Sequence, residues 1–438
     1  MIGMGSGEYC FAFLCKLYLL SVELMKILFI YRHFWPDTTP YASMLRTISA
    51  HLSENGHEVH VWTEMPTYRS VEFRVVDPKS CDVINGVHVH RVPRLPLWRK
   101  SKLVRQLVTI VFPFRMILKA MAARWFRGCD FDCVVTATVP PIVNGVCGRV
   151  TSKIMNAKYI YHMQDIYPEV ASTAGLMEKQ SLLYSILLKF DKYTCLSADK
   201  VVVLSEDMRN TLKIRKISID GVSVINNFLL ESFDDQALGD CKDRIVEEQG
   251  DSDNEITAIF AGNLGRFQGL KNLVSAVNVL ERDGKFKLKF LGDGVMLKPL
   301  KELAKGNSQI VFRGRMPFEE AQREIKKADI GIVSLGKDVY RYAYPSKTLS
   351  YLGLGLPILL LVERESELSA SLVDSGVAVC AGNTAIDSIG GAVRGLTQSP
   401  EKLKIMKENV PRVFTEDYST EKVLAQWVSL MKQMEKIT

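Results

Sequence analysis

Four short stretches in the second half of the chain put glycines, hydroxyls and cations where a strand-like run gives way to a helix-like one. The first is Phe260-Ala261-Gly262-Asn263-Leu264-Gly265-Arg266-Phe267-Gln268-Gly269-Leu270-Lys271-Asn272. Glycines let the backbone approach a phosphate closely, and a helix start adds partial positive charge there. Arg266 and Lys271 add full charges, and Asn263 and Gln268 add polar side chains. The second is Leu291-Gly292-Asp293-Gly294, and the third is Val311-Phe312-Arg313-Gly314-Arg315-Met316-Pro317, whose backbone suits a nucleobase edge. The fourth runs from Tyr344 through Pro345-Ser346-Lys347-Thr348-Leu349-Ser350 to Gly353, Gly355 and Pro357. Pro345 is expected in the first turn of a helix, with Ser346, Lys347 and Thr348 forming an anion seat. Any one of these reads equally well as a tight turn. Four together, each at the end of a strand, point to a phosphate-bearing ligand.

The elements that must position these loops are legible in the periodicity. Strand-like runs are Lys26–Tyr31, Glu58–Thr63, Val87–Val92, Cys133–Val139, Lys158–Met163, Lys200–Leu204 and Val222–Asn226, with helical stretches between them. In Ala42–Glu54, Met44, Leu45, Ile48 and Leu52 fall at helical spacing, and Gly56 follows where a helix stops. Leu230 to Asn254 is acidic and turn-rich, and reads as a linker plus a solvated helix. The alternation then restarts with strands at Ile256–Ala261, Phe286–Leu291, Gln309–Arg313, Ile330–Leu335, Pro357–Val362 and Gly376–Cys380. Such alternation predicts α/β architecture: two doubly wound Rossmann-like domains, each binding at the carboxyl ends of its strands, facing a central cleft. Val410 to Thr438 reads as one closing helix, with Val423, Leu424, Trp427, Leu430 and Met431 on a single face.

The order of these motifs from Met25 onward resembles glycosyltransferase family 4, retaining enzymes of the GT-B fold. Phe34-Trp35-Pro36 resembles the family's acceptor loop, and Asn55-Gly56-His57-Glu58-Val59 its second strand. Gly262 to Gly269 resembles the pyrophosphate loop, and Pro345-Ser346-Lys347 to Gly355-Leu356-Pro357 the donor helix. Thr138-Val139-Pro140-Pro141 and Gln164-Asp165-Ile166-Tyr167-Pro168-Glu169 resemble the subgroup that builds bacterial surface polysaccharides, including N-acetylfucosamine transferases. The resemblance implies donor contacts at Gly262, Asn263, Arg266, Gln268, Lys271, Gly314, Arg315, Ser346, Lys347 and Ser350, and catalytic roles for Asp165 and Gln164. It implies a C-terminal helix crossing back to the N-terminal domain. Its domains would be 25–229 for the acceptor, 230–412 for the nucleotide sugar and 413–438 for the returning helix, with residues 1–24 a doubtful extension.

Departures from the family pattern are equally specific. Two family glutamates fall at Tyr342 and Ser350, the phosphate-binding Arg and Lys at Asn263 and Gln268, and the catalytic-loop histidine at Gln164. Thr38-Thr39-Pro40-Tyr41 replaces a glycine pair. Arg266, Lys271 and Lys347 are then the cations left to meet a diphosphate.

Composition narrows the partners. The 438 residues carry a formal net charge of +7, unevenly placed. Val83 to Cys129 contains no Asp or Glu, while Arg99, Lys100, Arg115, Lys119, Arg124 and Arg127 alternate with Trp98, Phe112, Phe114, Leu118 and Trp125. Aromatic and aliphatic residues beside cations fit an anionic membrane surface through residues 83–129 better than nucleic acid, whose phosphates need no aliphatics. An ordinary amphipathic helix with a solvated basic face is the plain alternative. No apolar run reaches the ~18 residues of a spanning helix. The nine cysteines form no CxxC pair, which fits a reducing compartment without zinc or disulfides. The expectation is a peripheral protein on the inner face of the cytoplasmic membrane. It would move a sugar from a UDP-sugar to a polyprenyl-diphosphate-linked acceptor, with no metal or other cofactor. The rival readings are a non-catalytic nucleotide-sugar-binding or scaffold protein, which the missing glutamates favour, and a nucleotide-sugar epimerase. The epimerase would need a cluster of carboxylates and histidines, and seven scattered histidines do not make one. A dinucleotide redox enzyme is disfavoured by the first strand, which leads to His33-Phe34-Trp35-Pro36 rather than GxGxxG.

Overall fold

The computed structural model describes residues 24–37, 39–66, 78–95, 102–229, 255–280, 286–382 and 385–436. The acidic 230–254 stretch and the extension before Leu24 lie outside the described residues.

The first half contains β1 (Lys26–Ile30), α1 (Pro40–Glu54), β2 (Glu58–Glu64), β3 (Cys81–Ile84), β4 (Val87–Val92), α2 (Lys102–Arg127), β5 (Cys133–Ala137), α3 (Val143–Met155), β6 (Lys158–His162), α4 (Glu169–Thr173), α5 (Leu182–Ser197), β7 (Lys200–Val203), α6 (Glu206–Ile214) and β8 (Val222–Val224). Its sheet runs in the order β3-β4-β2-β1-β5-β6-β7-β8. The chain therefore winds one way from β1 and then reverses, as a doubly wound sheet must. Strands covered on both faces read as continuous apolar runs, and Ile27, Leu28, Phe29 and Ile30 of β1 are all buried. The antiparallel edge strand β3 is an addition to the expected set. Asn85 and Gly86, both at positive φ, turn it into β4. Asn-Gly between two apolar pairs is a hairpin signal that was present in the sequence.

The second half contains β9 (Ile256–Ala261), α7 (Leu270–Leu280), β10 (Phe286–Leu291), α8 (Leu297–Leu303), β11 (Ile310–Gly314), α9 (Phe318–Lys326), β12 (Ile330–Ser334), α10 (Lys347–Gly353), β13 (Ile358–Leu361), α11 (Glu367–Asp374), β14 (Ala378–Cys380), α12 (Ile386–Thr397), α13 (Pro400–Val413) and α14 (Thr420–Glu435). Its parallel sheet runs β11-β10-β9-β12-β13-β14. Alternate strand residues feed two separate cores. Ala258, Phe260, Leu359 and Leu361 pack into one, and Ile259, Ile358 and Leu360 into the other. Each such side chain contributes about 1.5–3 kcal/mol when removed from water, so the period-two pattern fixes both faces at once. The expected doubly wound architecture is the one observed.

Contacts divide the chain into two units. One takes in the described residues to His162, Ser197–Val201 and the chain from Leu424; the other comprises Met163–Leu196 and Val202–Val423. Within the first, Trp427 of α14 is buried edge-on to His162 at 5.1 Å, and Lys158 Nζ donates to the Met434 carbonyl. The expected single closing helix is corrected to two. A π turn over Phe414–Tyr418 separates α13 from α14, and Ser419 there is extended.

Candidate functional site

In the second unit, a cavity of about 760 Å³ opens at the carboxyl ends of β9, β10 and β11. It is lined by Ala261, Gly262 and Asn263, by Leu291 to Val295, and by Arg315, Met316 and Ala321. The winding reverses between β9 and β12 in this sheet, and such switch points are where open α/β sheets bind ligands.

The glycines shape this cavity through backbone conformation. Gly262, Gly292 and Gly294 have φ of 125°, 126° and 157°. A Cβ at Gly292 would collide with the carbonyl of Gly262, and one at Gly294 with the carbonyl of Leu264. Their amides are not free for a ligand as the sequence suggested. Gly262 N–H donates to the Leu291 carbonyl (2.8 Å), Gly292 N–H to the Gly314 carbonyl (2.6 Å) and Gly294 N–H to Asp293 Oδ1 (2.7 Å). The first two bonds stitch three strand ends together, so recognition of an anion falls more heavily on side-chain cations.

Lys347 is such a cation. At the start of α10 its side chain folds over the Phe260 ring, with Nζ 4.7 Å from the centroid. Its Cε and Nζ lie 3.0 and 3.3 Å from where a Cβ on Gly262 would sit. Burial lowers its pKa to about 8. It makes no hydrogen bond or ion pair among the described residues. A desolvated ammonium without a counter-charge gains strongly from an arriving anion.

The other sequence-selected residues divide. Gly262, Asn263 and Arg315 line the cavity, and Gly314 accepts the bond that closes its floor. Gln268 turns back, its Oε1 accepting from Gly265 N–H at 2.7 Å. Arg266 and Lys271 are exposed and outside the lining. Ser346 is exposed and caps no amide, while Ser350 is half-buried with no hydroxyl partner among the described residues. Two details of the expected anion seat are corrected. Pro345 precedes the helix and accepts from Thr348 N–H (3.0 Å), and the Thr348 side chain is fully buried. Helix α10 starts one turn position later than the proline suggested, because Ser346 is its N-cap.

Gln164 and Asp165 follow β6 and belong to the same unit as the cavity. Gln164 Oε1 accepts from Asn227 Nδ2 at 2.8 Å. Asp165 forms an isolated antiparallel bridge with Ala343, and Ile166 N–H donates to the Tyr342 carbonyl at 2.8 Å. Asp165 is thus tied to the segment that leads into α10. Burial raises its carboxyl to a pKa of about 6. The turn behind it is held by Arg215, which pairs with both oxygens of Glu169, with Asp191 (2.5 Å) and with the Tyr167 carbonyl (2.7 Å).

Sequence reasoning missed Tyr351 and Arg215. Tyr351 is buried in α10 and its hydroxyl accepts from Ala261 N–H at 2.8 Å, fixing the end of β9. Its ring sits where a side chain on Gly331 would be, so the glycine in the otherwise branched β12 was its signal. His33 pairs with buried Asp37 at 2.7 Å in the first unit. His162 accepts or donates to the Tyr41 hydroxyl at 2.8 Å, and burial lowers its pKa to about 3, as befits a satisfied strand residue. Among the described residues, no three His, Cys, Asp or Glu side chains form a group that could hold a metal ion, and no helix is long and apolar enough to cross a membrane.

Residues 42–229 match the model described as Glycosyltransferase Family 4. The chain is 24% identical to the "Probable glycosyltransferase WbjE" of Pseudomonas aeruginosa over 65% of its length and 70% of that protein. It is 23% identical to the "Putative colanic acid biosynthesis glycosyl transferase WcaI" of Escherichia coli (strain K12), over 92% and 99%. Among solved structures, sucrose-phosphate synthase of Thermosynechococcus elongatus superposes with a TM-score of 0.70 at 15% identity, covering 94% of this chain and all of that one. Anabaena Alr3699/HepE, solved in complex with UDP and glucose, gives 0.62 at 14% identity, over 93% and 99%. The fold is therefore that of GT-B glycosyltransferases.

Proposed function

We propose that this chain, with its match to Glycosyltransferase Family 4 over residues 42–229, is a retaining glycosyltransferase of surface-polysaccharide synthesis. It moves an N-acetylated deoxy- or amino-sugar from a UDP-sugar to a polyprenyl-diphosphate-linked glycan at the inner face of the cytoplasmic membrane. The observation that carries the reading is the unpaired, desolvated Lys347 ammonium beside Gly262, a residue that lines the glycine-shaped cavity on three strand ends. The names of WbjE and WcaI, and the UDP held by HepE, support the class of donor and product.

When the bond between the sugar and the diphosphate breaks, negative charge grows on the leaving UDP. In this reading Lys347 and Arg315 stabilise that charge, and no metal ion is called for. Asp293, the carboxylate in the lining, suits sugar or ribose hydroxyls and takes the place of the glutamates that Tyr342 and Ser350 replace. Asp165 and Gln164 orient hydroxyls of the acceptor or the transferred sugar. Attack from the leaving-group side lets the departing phosphate take the acceptor proton, so neither residue needs to act as a strong base.

The acceptor side of the reading rests on α2. Its outward face exposes Phe114, Leu118, Trp125 and Phe126, and Arg127 is exposed beside them. Arg115 turns inward to Glu64 and Lys119 lies over the Trp62 ring, so this face is more apolar than the sequence suggested. Such a face fits insertion at the headgroup level.

The test is a panel of UDP-sugars scored by thermal shift, and UDP release with a polyprenyl-diphosphate sugar as acceptor. The reading expects stabilisation by a UDP-sugar and release that collapses in Lys347→Ala. Stabilisation without release from any acceptor would favour the non-catalytic binding reading, which Tyr342 and Ser350 already support. No response to any nucleotide sugar would sink both.

A further inference from the structure

Helix α5 turns its one acid inward and an apolar stripe outward. Inward, Tyr184, Asp191, Thr194 and Cys195 are buried. Outward, Leu183, Ile186, Phe190 and Tyr193 follow one another at helical spacing and are 56%, 40%, 50% and 49% exposed. A contiguous apolar stripe turned to solvent on a helix whose acid is buried lacks its cover. The charges on this helix decide what kind of cover fits. Lys189 is exposed and Lys192 half-buried, at one edge of the apolar stripe. Asp191, the helix's single carboxylate, is buried and held by Arg215 at 2.5 Å.

We propose that α5 rests this face on an anionic lipid surface, as a contact separate in sequence from α2. Phe190 and Tyr193 are the residue types that sit at the headgroup level, where Tyr193 keeps its hydroxyl in water. Lysines at the edge of such a stripe lay their stems on the acyl boundary and reach the acidic headgroups. A second copy of the chain fits less well. In an antiparallel two-fold pairing about mid-helix, Lys189 would face its own counterpart with no exposed acid of α5 to neutralise either. The inference does not depend on sugar transfer; it holds equally for a chain that binds a nucleotide sugar without turnover.

The experiment is co-sedimentation of the full chain with vesicles of phosphatidylcholine alone or of equal parts phosphatidylcholine and phosphatidylglycerol. Both side chains of the double variant Ile186→Ser, Phe190→Ser are solvent-exposed, so its melting temperature and UDP binding are expected to match the parent. Its partition to the mixed vesicles is expected to fall about tenfold, in line with the apolar area withdrawn from the interface. Lys189→Glu with Lys192→Glu is expected to weaken binding to the mixed vesicles and leave the weaker binding to phosphatidylcholine unchanged. Undiminished partition of both variants would overturn the proposal. So would a lipid-free, concentration-dependent dimer of the parent that Ile186→Ser, Phe190→Ser abolishes, since the face would then pair with itself.

Discussion

The Lys347 ammonium nitrogen lies 3.3 Å from where the first side-chain atom of a residue at Gly262 would stand. The absence of a side chain at one position is thus what lets a cation occupy the other. Replacing Lys347 with alanine is expected to weaken UDP binding about 10- to 100-fold, the size of a lost charge-assisted hydrogen bond in a desolvated site. The pH dependence is a second readout. Burial lowers the Lys347 pKa to about 8 from the ordinary lysine value of 10.5, so the folded protein releases this proton earlier than the unfolded chain. Stability from this group therefore rises with pH between about 8 and 10.5 and is absent below 8. A bound diphosphate pulls the proton back. UDP affinity should fall as pH climbs past 8 in the parent, and the fall should flatten in Lys347→Ala. Calorimetric titration across that range checks both.

Gly292 and Gly314 both have positive φ, yet their substitutions should differ. A Cβ at Gly314 meets nothing within 4 Å, so Gly314→Ala carries only backbone strain of about 1–2 kcal/mol. A Cβ at Gly292 meets the backbone of Gly262, which has no flexible end to yield. Gly292→Ala should lower the melting temperature well beyond Gly314→Ala and abolish UDP binding, because the β9 and β10 ends must part. Equal shifts for the two variants would remove the backbone approach from the account of the cavity.

How much of this was legible beforehand follows from the range of each interaction. The strands of both sheets other than the β3 edge, and the positions of Gly262, Gly292 and Gly314, were readable, because apolar runs and turn glycines are local signals. Lys347 was selected for its charge next to a helix start. That it folds onto Phe260 and Gly262 depends on a contact across about 85 residues of chain, which no local pattern encodes. Arg266 and Lys271 stand differently in the structure. Their charge and loop position were right for a phosphate, but the turn over Arg266–Gln268 directs Gln268 back to Gly265 and leaves both cations in solvent. Tyr351 escaped notice because its partner Ala261 lies at the end of β9, 90 residues earlier in the chain.

Arg215 joins Glu169 and Asp191 in a triad whose side chains are no more than 10% exposed. Removing one partner of a buried ion pair leaves its charge uncompensated, at a cost of about 3–5 kcal/mol. Arg215→Met should accordingly reduce the urea midpoint by that equivalent. The triad also braces the Tyr167 carbonyl, two residues beyond Asp165, so kcat in the proposed transfer should fall more than donor affinity. Arg215→Lys is expected to recover part of the stability but little of the kcat, because a single ammonium cannot replace the guanidinium fork on Glu169. A variant that loses stability while keeping kcat would confine Arg215 to a structural role.

Asp165 offers the sharpest test of the catalytic side. Burial raises its carboxyl to about 6 from the ordinary aspartate value of 3.8. The folded state therefore holds this proton more tightly than the unfolded chain, and its ionised form is disfavoured in the fold at neutral pH. Stability from this group grows as pH falls from about 6 towards 3.8, the reverse of a salt-bridged carboxylate. Asp165→Asn should consequently raise the melting temperature at pH 7.5 and change it little at pH 4. Its effect on turnover should be the opposite. If the ionised carboxylate orients the reacting hydroxyls, the parent loses activity on the acid side with an apparent pKa near 6, and Asp165→Asn removes that limb while cutting kcat by about 10²-fold, the lower end for a positioned catalytic group. A pH–rate profile on UDP release, run beside thermal melts of the same two proteins, distinguishes the cases. A variant that is more stable but equally active would show that the strain of burying Asp165 serves the bridge to Ala343 alone.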